Sequence, residues 1–205
     1  MRIMLIAPTV TPAINTIPEI RSITSTHTCL VLHGEIAIDE IYNHAQRGSY
    51  DIIHIGAHST TYDREDVLQF VRVSGASLVF LNACHSAEMG SFLVSRGVPF
   101  VICTNIELED REAWKMPLTF YEYLARQERS MRQVSFANAY VQAEDGDGSH
   151  AFLVSIKLIG TWEVLDTRMS SVETKLHTTV RLGLLFMGAG ALLSTLLVLW
   201  SVLWN

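Results

Sequence analysis

Two short stretches, Asp51–Ala57 and Ser77–Asn82, are apolar at nearly every position. A strand with one wet face alternates apolar and polar residues. A strand apolar throughout is buried on both faces, as happens when helices cover both sides of a parallel sheet. The surrounding chain agrees with that arrangement. Arg2–Ala7, Thr28–His33 and Pro99–Thr104 are further apolar, β-branched runs that read as strands. Ile38, Ile41, Tyr42 and Ala45 recur at helical spacing, with Asp39 near the start and Gly48 after the end. Asp63–Val73 reads as a helix, and Met89, Phe92 and Leu93 mark another that Gly97 closes. Helical stretches over Glu109–Gln127 and Met131–Glu144 follow, the first interrupted by Pro117. After the turn-rich Asp145-Gly146-Asp147-Gly148, Ala151–Ile159 reads as a late strand. Strand–helix alternation at this spacing predicts an α/β domain over residues 1–165, with a mostly parallel sheet flanked by helices. Repeats of 20–50 residues and low-complexity tracts are lacking.

Composition adds a second expectation. Apolar residues make up 49% of the 205 and charged ones only 18%, which excludes disorder as the main state. The apolar excess lies at the end of the chain, where Leu182–Trp204 runs for 23 residues without a charge. At about 1.5 Å per residue such a helix crosses a hydrocarbon core of about 30 Å, so residues 182–204 are expected to form one C-terminal transmembrane helix. Residues 166–181 become a juxtamembrane linker. Arg168, Lys175 and Arg181 precede the span, so the positive-inside bias places the N-terminal domain in the cytoplasm as a single-pass, tail-anchored protein, with Trp200 and Trp204 at the far interface of the lipid bilayer. Gly190 with Ser194, and Ala191 with Thr195, have the spacing that lets spans associate. A net charge of −6 argues against nucleic acid as a partner. Three cysteines, Cys29, Cys84 and Cys103, cannot all pair, which excludes a disulfide-stapled scaffold and favours a reducing compartment.

The chemistry concentrates where the two most apolar strands end. One continues through Gly56-Ala57-His58-Ser59, the other through Asn82-Ala83-Cys84-His85-Ser86. In an open parallel sheet functional residues gather at the carboxyl ends of the strands. His58 and Cys84 hold equivalent ends of two strands joined by one helical crossover. A thiol beside an imidazole is the minimum nucleophilic pair: the base raises the thiolate fraction and then protonates the leaving amine. Singly, a strand-end cysteine is most often a small buried hydrophobe and a lone histidine a satisfied polar group. Their matched placement favours function. A zinc site is weighed as well. His54 and His58 lie about 13 Å apart along a strand and cannot share one metal. A site built from His54, Cys84 and His85 fits the ligand-spacing rules poorly, so neither metal nor cofactor is expected. Cys29 and Cys103 lie inside apolar strands and are expected to be packing residues.

The segments HIGAHS and LVFLNACHSA resemble the caspase-like CHAT family, a branch of the caspase–gingipain–separase clan of cysteine peptidases. Members carry His-Gly at the end of one strand and Ala-Cys-x-Ser/Thr/Gly at the end of the next. SFLVSRGVPFVICT, Ser91–Thr104, resembles the family's helix and strand after the cysteine. The layout covers most of residues 1–165. The resemblance implies a caspase-like fold in which His58 is the general base and Cys84 the nucleophile. Backbone N–H groups at Cys84 and at Ser59, beside His58, would hold the oxyanion. Ser59 stands where the family usually has Gly, and serine resists positive φ.

Relatives that cut after Arg or Lys place a carboxylate beside the cysteine. Here Asn82 holds that position, and Glu107, Glu109 and Asp110 follow the next strand at the same edge as further candidates for the substrate pocket. Acidic residues there equally complement a helix N-terminus. The expected function is a membrane-anchored cysteine endopeptidase acting on a protein or peptide. The resemblance suggests a bacterial stress or antiviral, anti-phage defence effector, activated by a protein partner or by self-association. The alternative is a catalytically silent CHAT-like membrane adaptor, which Ser59 keeps in view. A hydrolase or metal protein of another kind finds no nucleophile elbow, P-loop or Rossmann glycine pattern to support it.

Overall fold

The computed structural model describes residues 1–9, 15–58, 60–107, 113–130, 134–144 and 149–155. The chain divides into two units, Met1–Leu158 and Ile159–Asn205, and every described residue belongs to the first. Its elements run β1 Arg2–Pro8, α1 Ile17–Thr26, β2 Thr28–Gly34, α2 Ile38–Arg47, β3 Ile52–Gly56, α3 Arg64–Ser74, β4 Leu78–Asn82, α4 Ala87–Ser95, β5 Phe100–Thr104, α5 Lys115–Arg129, α6 Phe136–Ala143 and β6 His150–Val154.

The six strands form one sheet in the order β2-β1-β3-β4-β5-β6. All neighbours are parallel except β5 and β6, which run antiparallel from Phe100 opposite Val154 to Thr104 opposite His150. Alternation along each strand divides the core in two. Met4, Ile6, Ile53, Ile55, Val79 and Leu81 pack with α2, α3 and α4 on one face. Ile3, Leu5, Ile52, Leu78 and Phe80 pack with α1, α5 and α6 on the other. Both faces are covered, which is why the central strands are apolar throughout.

Within the described residues each expected strand and helix has its counterpart, while 109–112, 131–133 and 156–159 of the last three expected elements lie outside those residues. Three differences have physical causes. First, α1 gives almost no local signal. Thr24, Ser25 and Thr26 crowd its end and turn their hydroxyls back on Ile20, Ser22 and Ile23 carbonyls at 2.8, 2.7 and 3.1 Å. Such residues are poor helix formers, and burial of Glu19 and Ile23 holds the segment helical. Second, Pro117 does not interrupt a helix. Helix α5 starts at Lys115, so the proline is its third residue, where no intrahelical N–H is required. Third, Gly97 does close α4: it takes φ +96, which a side chain would resist.

One expectation is corrected. Among the described residues no helix is long and apolar enough to cross a membrane. The longest is α5, whose 15 residues span about 22 Å and carry charged Lys115, Glu122, Arg126, Glu128 and Arg129. The stretch 182–204, and the linker 166–181 before it, lie outside the described residues.

The α1–β2 junction carries an acid-sensitive contact. His27 is buried, with the Tyr121 ring edge-on at 5.7 Å and Glu128 at 3.5 Å. Desolvation holds its imidazole below the ordinary 6.5, and Glu128 opposes that in part. The unfolded chain therefore takes up this proton first. The contribution of His27 to stability is complete above 6.5 and declines as the pH falls below it. Urea midpoints measured from about pH 7 to about pH 5 should fall less steeply in His27→Phe than in the wild type.

Candidate functional site

The chain passes from β1 outward to β2 and then returns across β1 to β3, so the winding direction switches between β1 and β3. Ligand crevices in open α/β sheets form at the carboxyl side of such a switch; His58 follows β3, which borders it, and Cys84 follows β4, one strand further on. Strands β3 and β4 pair from Ile52 opposite Leu78 to Gly56 opposite Asn82. His58 and Cys84 each follow those last paired residues by two positions, on strands about 4.8 Å apart. Both are half-buried.

Cys84 sits in the turn between β4 and α4, and the end of β5 braces that turn. The Thr104 hydroxyl donates to the Ala83 carbonyl. The Thr104 N–H donates to the Ser86 hydroxyl at 3.0 Å, and Ser86 in turn donates to Leu81 O at 3.3 Å. The His85 N–H reaches Ile106 O at 3.2 Å. Ser86 is the N-cap of α4 but does not cap it with its side chain, because the hydroxyl is engaged in the brace. His85 takes φ +49, the sole positive φ at a non-glycine among the described residues. Left-handed backbone at a non-glycine persists where surrounding contacts over-determine it, and such residues cluster at functional sites. The geometry holds Cys84 two residues before Ser86, the N-cap of α4, and a helix N-terminus carries amides without intrahelical partners. Thr104→Val removes the central hydroxyl at nearly constant volume. It should cost about 1–3 kcal/mol in urea unfolding; a loss below about 0.5 kcal/mol would mean the turn holds itself.

Two cavities meet beside this turn. His58 walls a small, partly open one with Ile55, Tyr62, Leu81, Ala83 and Ser86. An open cleft of about 480 Å³ lies alongside, lined by Thr60, Asp63, Arg64, His85 and Glu88, and it shares Tyr62, Ser86 and Met89 with the first. Arg64 is held over the Phe92 ring at 4.9 Å and lies 3.9 Å from Glu88. The cleft thus offers charge of both signs beside the turn that carries Cys84, although Cys84 itself is not among the described residues that line either cavity.

Of the residues expected to line a substrate pocket, Glu107 is exposed at this carboxyl edge, three residues past the end of β5. Ser59, Glu109 and Asp110 lie outside the described residues. Asn82 is buried and lines neither cavity; its amide donates to Glu19 and, at 2.9 Å, to Ala113 O. Both partners are acceptors, so the amide orientation is forced and the Asn82 carbonyl oxygen is left buried without a partner. Cys103 is buried and Cys29 half-buried, and burial raises both thiols to about 11, where neither is a nucleophile near neutrality.

Glu19 joins a polar cluster that the sequence does not reveal. Its carboxylate accepts from Asn82 and meets His54 Nε2 at 2.8 Å, while His54 Nδ1 meets the Tyr121 hydroxyl at 3.0 Å. Four elements, α1, β3, β4 and α5, thus meet through side chains beneath the carboxyl edge. Gly56 makes room for it, since a Cβ there would lie 2.5 Å from the second Glu19 oxygen. His54 therefore has both ring nitrogens engaged on the face covered by α1 and α5, whereas His58 and the Cys84 turn border cavities walled from α3 and α4. The available signal was a polar residue inside each of two apolar strands, His54 and Asn82. Its partner on α1 was out of reach, because α1 itself was unread. Compared with protein-family models and with curated proteins, the chain finds no match.

Proposed function

We propose that this α/β domain is a cysteine endopeptidase in which Cys84 attacks a peptide carbonyl and His58 is the general base. The reading rests on one observation, the register that sets His58 and Cys84 two residues beyond the paired Gly56 and Asn82 at the carboxyl edge. In the first step the Cys84 thiolate adds to the carbonyl carbon, and the imidazolium of His58 gives its proton to the departing amine. In the second, His58 takes a proton from water, the hydroxide adds to the thioester, and the acid leaves as Cys84 is regenerated. By the resemblance, the backbone N–H groups of Cys84 and Ser59 would hold the oxyanion of each tetrahedral intermediate. The open cleft that His85 and Ser86 line, next along the chain from Cys84, supports a protein or peptide substrate. Activation by a protein partner or by self-association, in a bacterial defence setting, is part of the same proposal and rests on the resemblance to CHAT peptidases.

An acyloxymethyl ketone or iodoacetamide probe with mass-spectrometric mapping tests the assignment. Labelling concentrated on Cys84, and lost in His58→Ala, is expected. Equal labelling of Cys84 with and without His58 would leave the thiol unactivated and favour a silent adaptor.

A further inference from the structure

Tyr62 walls both cavities at the carboxyl edge. Its ring packs edge-on to Phe70 at 6.2 Å and the residue is 8% exposed. Among the described residues its hydroxyl has no hydrogen-bond partner. Buried phenols nearly always have one, so the group points to something that belongs beside it. The smaller cavity supplies the place. Its free space of about 10 Å³ is that of a single water. Its polar side chains are those of Tyr62, His58 and Ser86, and Ser86 is committed to the brace around Cys84. A water in this space has Tyr62 and His58 to bridge.

We propose that one ordered water in this cavity links the Tyr62 hydroxyl to the His58 imidazole, making Tyr62 the positioning residue of the general base. The inference rests on the reading of His58 as that base. A catalytic imidazole needs a defined orientation and tautomer, and the group bonded to its other nitrogen sets both. Tyr62 suits the task because burial pushes its phenol up to about 12, which keeps it a neutral donor throughout the working range of an imidazole. Its backbone position also fits. Tyr62 directly precedes Asp63, whose carboxylate caps α3 by accepting from Glu65 N–H at 2.8 Å, so the loop that carries it is anchored.

Tyr62→Phe deletes the hydroxyl alone. The expected result is a kcat lowered about tenfold, a fraction of what the base itself contributes, with KM and melting temperature unchanged. Ring ¹⁵N shifts of His58, read where the imidazole is neutral, should move from one tautomer in the wild type toward a mixture in the variant. A crystal structure of the wild-type chain should show a water within hydrogen-bonding distance of both side chains, and this measurement does not depend on the variant folding. Unchanged kcat with unchanged ¹⁵N shifts, or a cavity walled off from the His58 ring, overturns the proposal. Should Cys84 and His58 prove dispensable for cleavage, the peptidase reading fails instead, and the ¹⁵N shifts still report whether Tyr62 and His58 are linked.

Discussion

If Cys84 and His58 act as proposed, Cys84→Ala and His58→Ala should each bring peptide cleavage to background, a loss of about 10³-fold or more, with the double variant no slower than either. Residues that act as one unit lose their function together, because an imidazole without a thiol has nothing to activate, and a thiol without its base has no proton donor for the leaving amine. Neither substitution should cost much stability. Both residues are half-buried past the ends of their strands, outside the two packed faces of the sheet. Their replacement should stay within about 1 kcal/mol, compared with the 2–5 kcal/mol of a buried leucine cut to alanine. Cleavage rates on a denatured protein substrate, together with urea unfolding of each variant, check both halves. If Cys84→Ala continues to cleave, the nucleophile lies elsewhere.

Glu19→Ala should show the reverse pattern, a large loss of stability from a residue that touches no cavity at the candidate site. Its carboxylate, 3% exposed, is the acceptor shared by His54 Nε2 and the Asn82 amide. Removing it takes the partner from His54 Nε2 and one of the two acceptors from the Asn82 amide. Buried donors are left short of partners, at a cost of about 3 kcal/mol. For a chain of this size that lowers the melting temperature by about 10 °C. Glu19→Gln keeps one acceptor oxygen and should fall between the wild type and alanine. Gly56→Ala attacks the same cluster from the opposite side, by pressing a Cβ against the second carboxylate oxygen. A Glu19→Ala variant within about 1 kcal/mol of the wild type would mean that water replaces the carboxylate without penalty.

The two experiments separate parts of the molecule that the sequence shows to very different degrees. The sheet was legible because its strands are short, apolar and bounded by glycine, proline and acidic residues, so period and punctuation coincide. The equal offset of His58 and Cys84 from two neighbouring strand ends was legible for a related reason. Strand direction is uniform in a parallel sheet, so equal offsets from two strand ends imply neighbouring positions at one edge. Helix α1 was not legible, since its hydroxyl-rich end has little helix propensity and its stability comes from contacts with the sheet and α5. The antiparallel return of β6 was equally hidden, because local pattern carries no information on strand direction once two helices intervene.

Asn82 shows the limit most directly. Its place two residues before Cys84 suggested a pocket-lining side chain, but alternation along β4 turns it to the face covered by α1 and α5, where Glu19 and Ala113 O take up its amide. By itself the sequence determined the layers, the order of the parallel strands and the edge at which a thiol and an imidazole both lie, because those follow from local period and chain direction. Tertiary structure alone decided which polar side chains are buried together and what braces the Cys84 turn. Glu19 is 35 residues from His54 and 63 from Asn82, and Thr104 is 21 from Ala83. Contacts at such separations are set by how helices lie across a finished sheet, and no local pattern encodes that.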